Sequence, residues 1–354
     1  MNSFISNFKR LARDLKLPGA AIAAGAAIAA IEILLAALPA SSRRDLVRHR
    51  FYHPHVSPGV AESVVQWQLA HIQLLPERQE LVLLGDSACL CNLDAEQLTR
   101  ETGLRTWNLG TFGFIHTAGH AEILRHFIER RGSPRFLVYH ISHEPLTEDP
   151  GQRQIRSWIG RLRNWLSPPT KETFLLPSLN RRRELRSLLL SLIPGKAPYV
   201  GLDHPRGDFP SDEGIRRELW EKRGTLLPRP DDPDSTEKYP NEVIWSPRFN
   251  PGCLEGLRQI FGLARQYEFP VLVLLNPLPQ QADNELVRKA IGEIESSLVR
   301  VVEPYPLVSL HQPFLRFYPP DHCSDLRHLT LRGTLRQTEE MGEWLKAHWL
   351  AETD

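Results

Sequence analysis

Apolar positions along the chain fall into two regimes. From Leu17 to Leu38 they are almost continuous and rich in alanine, close to the ~20 residues needed to cross a bilayer, with Glu32 interrupting near the distal end. A basic piece, residues 1–16, precedes this run. From residue 81 onward short apolar runs alternate with amphipathic stretches. Leu81–Leu84, Leu104–Leu109, Phe136–Ile141, Val271–Leu275 and Val299–Val302 predict five buried strands. Leu93–Thr102, Ala118–Arg130, Leu254–Tyr267, Asn284–Leu298 and Arg332–Leu350 predict the helices between and after them, with Ile123, Leu124, Phe127 and Ile128 turned toward the sheet. Strands alternating with helices of this length imply a parallel sheet covered on both faces.

The expected fold class is therefore α/β, a three-layer flavodoxin-like sandwich with a parallel five-stranded sheet. One N-terminal transmembrane helix, 17–38, precedes it as an uncleaved anchor, with a cleaved signal peptide or a buried helix as the alternatives. Residues 39–80 read as a linker followed by a helix with Val64, Val65, Trp67, Leu69, Ile72 and Leu75 on its apolar faces. The core, 81–354, is broken at 145–250, where prolines cluster and no strand pattern recurs, so this stretch reads as an insertion or lid. Its first part is basic, and Trp158, Ile159, Leu162, Trp165 and Leu166 fall on one helical face between arginines. Three readings of that helix stay open: a membrane-surface element, a helix packed on the core, and a groove for an anionic polysaccharide. Asp203 to Asn241 reads as an extended loop.

Composition changes this picture little. The chain has 354 residues, 41% hydrophobic and 24% charged, which is ordinary for a globular protein. A formal net charge of +1 gives no case for nucleic-acid binding. Four cysteines are too few for a disulfide scaffold, and their spacing is not a zinc pattern. Free buried thiols are expected over a bridge among Cys89, Cys91 and Cys323. Charge does not orient the span, because Lys9, Arg10, Arg13 and Lys16 before it balance Arg43, Arg44, Arg48 and Arg50 after it.

The candidate chemistry starts where the first strand ends, at Gly85-Asp86-Ser87. A serine there sits at the carboxyl edge of a parallel sheet and at a helix start, where open α/β sheets carry their ligands. Asp325-Leu326-Arg327-His328 supplies the partner. A histidine takes a serine proton near neutral pH, and an acid three residues earlier turns back to hold its other nitrogen. Asp86 reads as a turn residue.

These blocks, with Trp107-Asn108-Leu109-Gly110-Thr111-Phe112-Gly113 between them, resemble those of the SGNH (GDSL-type) hydrolase superfamily. The layout is most similar to its membrane-anchored branch, which includes alginate acetylation and D-alanyl transfer proteins. The resemblance implies Ser87 as nucleophile, His328 as base and Asp325 as its orienter. It also implies oxyanion donors from the Ser87 backbone and from Gly110 or Gly113. The third family block, Gly-x-Asn-Asp, is replaced by Ile141-Ser142-His143-Glu144. His143 either donates in place of the asparagine or is a solvated loop histidine.

Other constellations are weaker. His116 and His120 are spaced for a metal, but the glutamate of HExxH and a third ligand are missing. Asp321-His322 rivals the Asp325–His328 pair, and His140 reads as a core residue. Gly110 and Gly113 lack the dinucleotide-binding spacing. No metal or cofactor is expected. The expected function is transfer or removal of an O-acyl group, most simply acetyl, on a cell-envelope polysaccharide through a serine acyl-enzyme, beside a membrane-bound O-acyltransferase. The alternatives are a non-catalytic scaffold or polysaccharide-binding partner of that acyltransferase, and a lipase with an apolar tunnel beside Ser87. The expected location is the cytoplasmic membrane, single-pass, with the domain periplasmic or extracellular as the family layout implies.

Overall fold

In the computed structural model, the described residues are 78–147, 218–228 and 251–351, with 64–65, 67–69, 71–72 and 75. The expected anchor, 17–38, and the Trp158–Leu166 helix lie outside them. Among the described residues no helix is long and apolar enough to cross a membrane.

The elements follow in chain order. Strand β1 (Leu81–Gly85) leads into helices α1 (Ser87–Asn92) and α2 (Ala95–Thr102), then β2 (Thr106–Asn108), α3 (His116–Arg131), β3 (Phe136–Ile141) and α4 (Glu144–Thr147). After the insertion come α5 (Pro251–Tyr267), β4 (Val271–Leu275), β5 (Leu278–Pro279), α6 (Glu285–Val302), β6 (Val308–Leu310), β7 (Phe317–Tyr318) and α7 (Leu331–Leu345). Five strands form one parallel sheet in the order β2-β1-β3-β4-β6, the doubly wound order of flavodoxin-like sheets. β5 and β7 form a separate short ladder.

Period-two alternation sends each central strand into two cores. Val82, Leu84, Leu137, Tyr139, Val271 and Val273 face Phe127 of α3, Phe261 of α5 and Ile294 of α6. Leu81, Leu83, Phe136, Val138, Leu272 and Leu274 face Leu93, Leu98 of α2 and Met341 of α7. Burial on both faces is why these strands read as unbroken apolar runs. Local caps set the helix starts. Asp94 accepts from the Glu96 and Gln97 N–H groups, Asn284 from Val287, and Thr330 from Gly333.

The expected fifth strand is corrected. Val299–Val302 is the last turn of α6, and the strand is Val308–Leu310, registered with Val308 beside Val271. The apolar period of α6 continues through Ile291, Ile294 and Leu298, while Val299 is 51% exposed, the reverse of what a buried strand requires. Helical periodicity from the Asn284 cap therefore overrides the β-branched composition of the run.

The insertion reading is also corrected in part. Residues 218–228 are not a free loop. Asn108 N–H donates to Arg223 C=O at 2.8 Å, and Leu226 N–H to Leu90 C=O at 3.0 Å. Leu219 and Leu226 pack with Val64, Trp67 and Leu90. Gln68 donates to the carbonyls of Gly110 and Gly224 at 3.1 and 3.0 Å, so the preceding helical stretch is fastened to both. The free edge of β2 is thus covered, as an exposed strand edge usually is.

Gly85 is needed at the end of β1. A Cβ there would overlap the His140 carbonyl of the neighbouring strand. Gly85→Ala is expected to destabilise the domain by about 3 kcal/mol, from overpacking of β1 against β3, read as a lower urea midpoint at unchanged slope.

Candidate active site

β1 stops at Gly85 and the chain turns into α1, so that Asp86 caps the helix and Ser87 is its first residue. Asp86 is fixed from two sides. Its Oδ1 accepts from Ala88 N–H at 3.0 Å, and its Oδ2 accepts from the Ser142 N–H and hydroxyl at 2.9 and 2.6 Å. Burial raises its carboxyl pKa, against the pull of these hydrogen bonds. Asp86 therefore ties the β1 turn to the end of β3 and holds Ser87 at the rim between them.

Ser87, His328 and Asp325 meet there. Ser87 Oγ lies 2.9 Å from His328 Nε2, and His328 Nδ1 lies 2.8 Å from Asp325 Oδ2. The other Asp325 oxygen accepts from the Arg327 and His328 N–H groups at 2.7 and 2.8 Å. Burial raises the Asp325 pKa, but the hydrogen bonds and charge of His328 and these two N–H groups outweigh it and hold it down to about 2. An ionised carboxylate only accepts, so Nδ1 carries the imidazole proton and Nε2 is left to accept from the Ser87 hydroxyl. Ser87 and the His328 side chain are partly exposed, so a substrate can reach them.

Of the two glycines expected as alternative oxyanion donors, the structure gives each a different setting. Gly110 N–H donates to Asn108 Oδ1 at 2.7 Å, and the glycine backs onto the Leu90 backbone of α1. It is therefore committed to holding its own loop. Gly113 opens a short 3₁₀ turn, Gly113–Ile115, and its Cα faces the Asp86 side chain. The Ser87 and Gly113 N–H groups each begin a helical turn and so lack an intrahelical acceptor. His143 is buried, not solvated. Burial first, and the nearby Arg327 charge second, push its pKa down to about 3, so it is neutral near pH 7.

Asn108 carries more than the sequence suggested. Its Nδ2 donates to the Cys89 carbonyl at 2.7 Å, so one buried side chain joins α1 to the Gly110 loop. The only signal in sequence was its place beside the glycines. Asp321 pairs with Arg332 at 2.6 Å, and His322 packs edge-on to Tyr318. His120 is buried with Nδ1 3.0 Å from the Tyr139 hydroxyl. His140 faces Gln337 at 3.1 Å. Among the described residues no three His, Cys, Asp or Glu side chains group to hold a metal. Cys89, Cys91, Cys253 and Cys323 are free thiols.

No family model matches the chain, and no curated protein matches it. Among solved structures, a protein from Streptococcus pneumonia provisionally described as a platelet activating factor aligns with a TM-score of 0.40 at 10% identity. The alignment covers 80% of this chain and 92% of that one.

Proposed function

We propose that this protein is an SGNH-type serine enzyme that transfers or removes an O-acyl group, most simply acetyl, on a cell-envelope polysaccharide. The observation that carries the proposal is the continuous chain from Ser87 Oγ through His328 to Asp325, at 2.9 and 2.8 Å. Ser87 Oγ attacks the acyl carbonyl while His328 Nε2 takes its proton. The Ser87 and Gly113 N–H groups receive the oxyanion. His328 then returns the proton to the leaving alcohol, and the acyl group remains on Ser87. A sugar hydroxyl or water attacks next, losing its proton to His328, and carries the acyl group away.

The wider setting belongs to the same proposal and rests on the resemblance. The 17–38 run anchors the chain in the cytoplasmic membrane, the domain lies outside the cytoplasm, and a membrane-bound O-acyltransferase supplies the acyl group. One observation favours the non-catalytic scaffold instead: a buried histidine, His143, stands where the family has an asparagine donor.

The discriminating experiment is p-nitrophenyl acetate with the full chain, reading p-nitrophenol release and the mass of the Ser87 peptide. Release with an acetyl adduct on Ser87, both absent in Ser87→Ala, is the expected result. If neither appears, even with the acyltransferase present, the scaffold reading takes over.

A further inference from the structure

The turn that carries His328 is gripped by two buried asparagines on other elements. Asn92 closes α1, the helix that Ser87 opens. Its Nδ2 donates to the Arg327 carbonyl at 2.8 Å and to Asn276 Oδ1 at 2.7 Å, and its Oδ1 accepts from Leu329 N–H at 3.0 Å. Asn276 follows β4. Its Nδ2 donates to the same Arg327 carbonyl and to the Pro277 carbonyl, both at 3.0 Å. The two are 0% and 2% exposed. The residues before and after His328 are therefore both fixed, and both through Asn92.

We propose that Asn92 and Asn276 are positioning residues that set the reach of His328 to Ser87. The inference rests on the serine-enzyme reading above. One short helix holds the nucleophile at its first residue and the base-bearing turn at its last, with about 7.5 Å of rigid backbone rise between them. The relative placement of Ser87 Oγ and His328 Nε2 thus passes through a single helix and the two hydrogen bonds from Asn92 to Arg327 and Leu329, although the residues lie far apart in sequence. Asp325 orients the imidazole from inside its own turn. The asparagines locate that turn against the sheet. Both lone pairs of the Arg327 carbonyl are met by buried side-chain donors, so removing one leaves that carbonyl half-satisfied within the protein and the turn free to shift. A shift of about 1 Å in a reacting pair lowers the rate about 100-fold.

The test uses Asn92→Asp, which keeps the shape and the acceptor for Leu329 but loses both donors, and Asn276→Ala, which removes the second grip together with the acceptor for Asn92 and the Pro277 hydrogen bond, and leaves the Asn92 grip on Arg327 and Leu329 in place. The full chain is labelled at Ser87 with a fluorophosphonate, a probe that needs no acyl acceptor, at a temperature where melting curves show each protein folded. The expected result is labelling slowed about 100-fold in Asn92→Asp and about 10-fold in Asn276→Ala. With p-nitrophenyl acetate, kcat falls and KM stays. Should Asn92→Asp fail to fold, Asn276→Ala decides alone. Wild-type labelling rates in the folded variants overturn the positioning role, as does a loss that only tracks the unfolded fraction. Absence of labelling in the wild type itself, with the protein folded, overturns the serine-enzyme reading and this inference with it.

Discussion

His328→Ala is expected to slow acylation of Ser87 by on the order of 10⁶-fold. The serine hydroxyl is a weak nucleophile at neutral pH until a base takes its proton as the carbonyl is attacked. His328 Nε2 is the group within hydrogen-bond distance, at 2.9 Å. Two buried histidines are held elsewhere. His140 faces Gln337 and His120 faces Tyr139. Ser87→Ala should cost about as much, and the double variant little more, because the two act as one unit. The measurement is the pre-steady-state burst of p-nitrophenol with the acetyl adduct followed at Ser87. A His328→Ala protein that still acylates within 10-fold of wild type would assign the base elsewhere.

Asp325→Asn is expected to lower kcat about 10⁴-fold while leaving the fold intact. The amide can present its N–H to Nδ1, which stabilises the other tautomer. Nε2 then carries the proton and cannot accept from Ser87. The same residue gives a pH signature. Its pKa is held at about 2, below the ordinary value of 3.8 that it has when unfolded. A depressed carboxylate contributes stability that is full above the unfolded value and is lost as pH falls through the folded one. The stability gap between wild type and Asp325→Asn should therefore be open at pH 7 and still nearly so at pH 5. It should narrow between pH 4 and 2. Urea titrations at these pH values read it. A gap that stays constant down to pH 2 would mean that Asp325 is not stabilised as a carboxylate.

Gly110 and Gly113 illustrate how far the sequence could be read. Both occupy the glycine-bearing loop, and spacing alone did not separate them. The difference is which N–H is already taken, and the Gly110 N–H is taken by Asn108 Oδ1. The fifth strand failed for a related reason. Val299–Val302 has strand composition, but α6 already runs through it in helical register, and the partner edge of β4 is filled by Val308–Leu310. Residues 218–228 read as loop because their helical turn is too short to show a period, and the rest is held by hydrogen bonds to distant Asn108 and Leu90.

The sequence by itself determined the features that depend on near neighbours. Doubly buried strands β1, β3 and β4 appear as apolar runs because both faces are covered. Asp325 and His328 appear as a pair because three residues close one turn, and the turn from β1 into α1 at Gly85-Asp86-Ser87 is equally local. Only the tertiary structure decided what depends on which distant groups meet. That includes the 2.9 Å from Ser87 to His328, the commitment of Gly110, the burial of His143, and the grip of Asn92 and Asn276 on the base-bearing turn. A buried asparagine looks like any other in a sequence. Its meaning comes from the carbonyls and N–H groups that the fold brings to it, and these are fixed only when the sheet and its covering helices have closed.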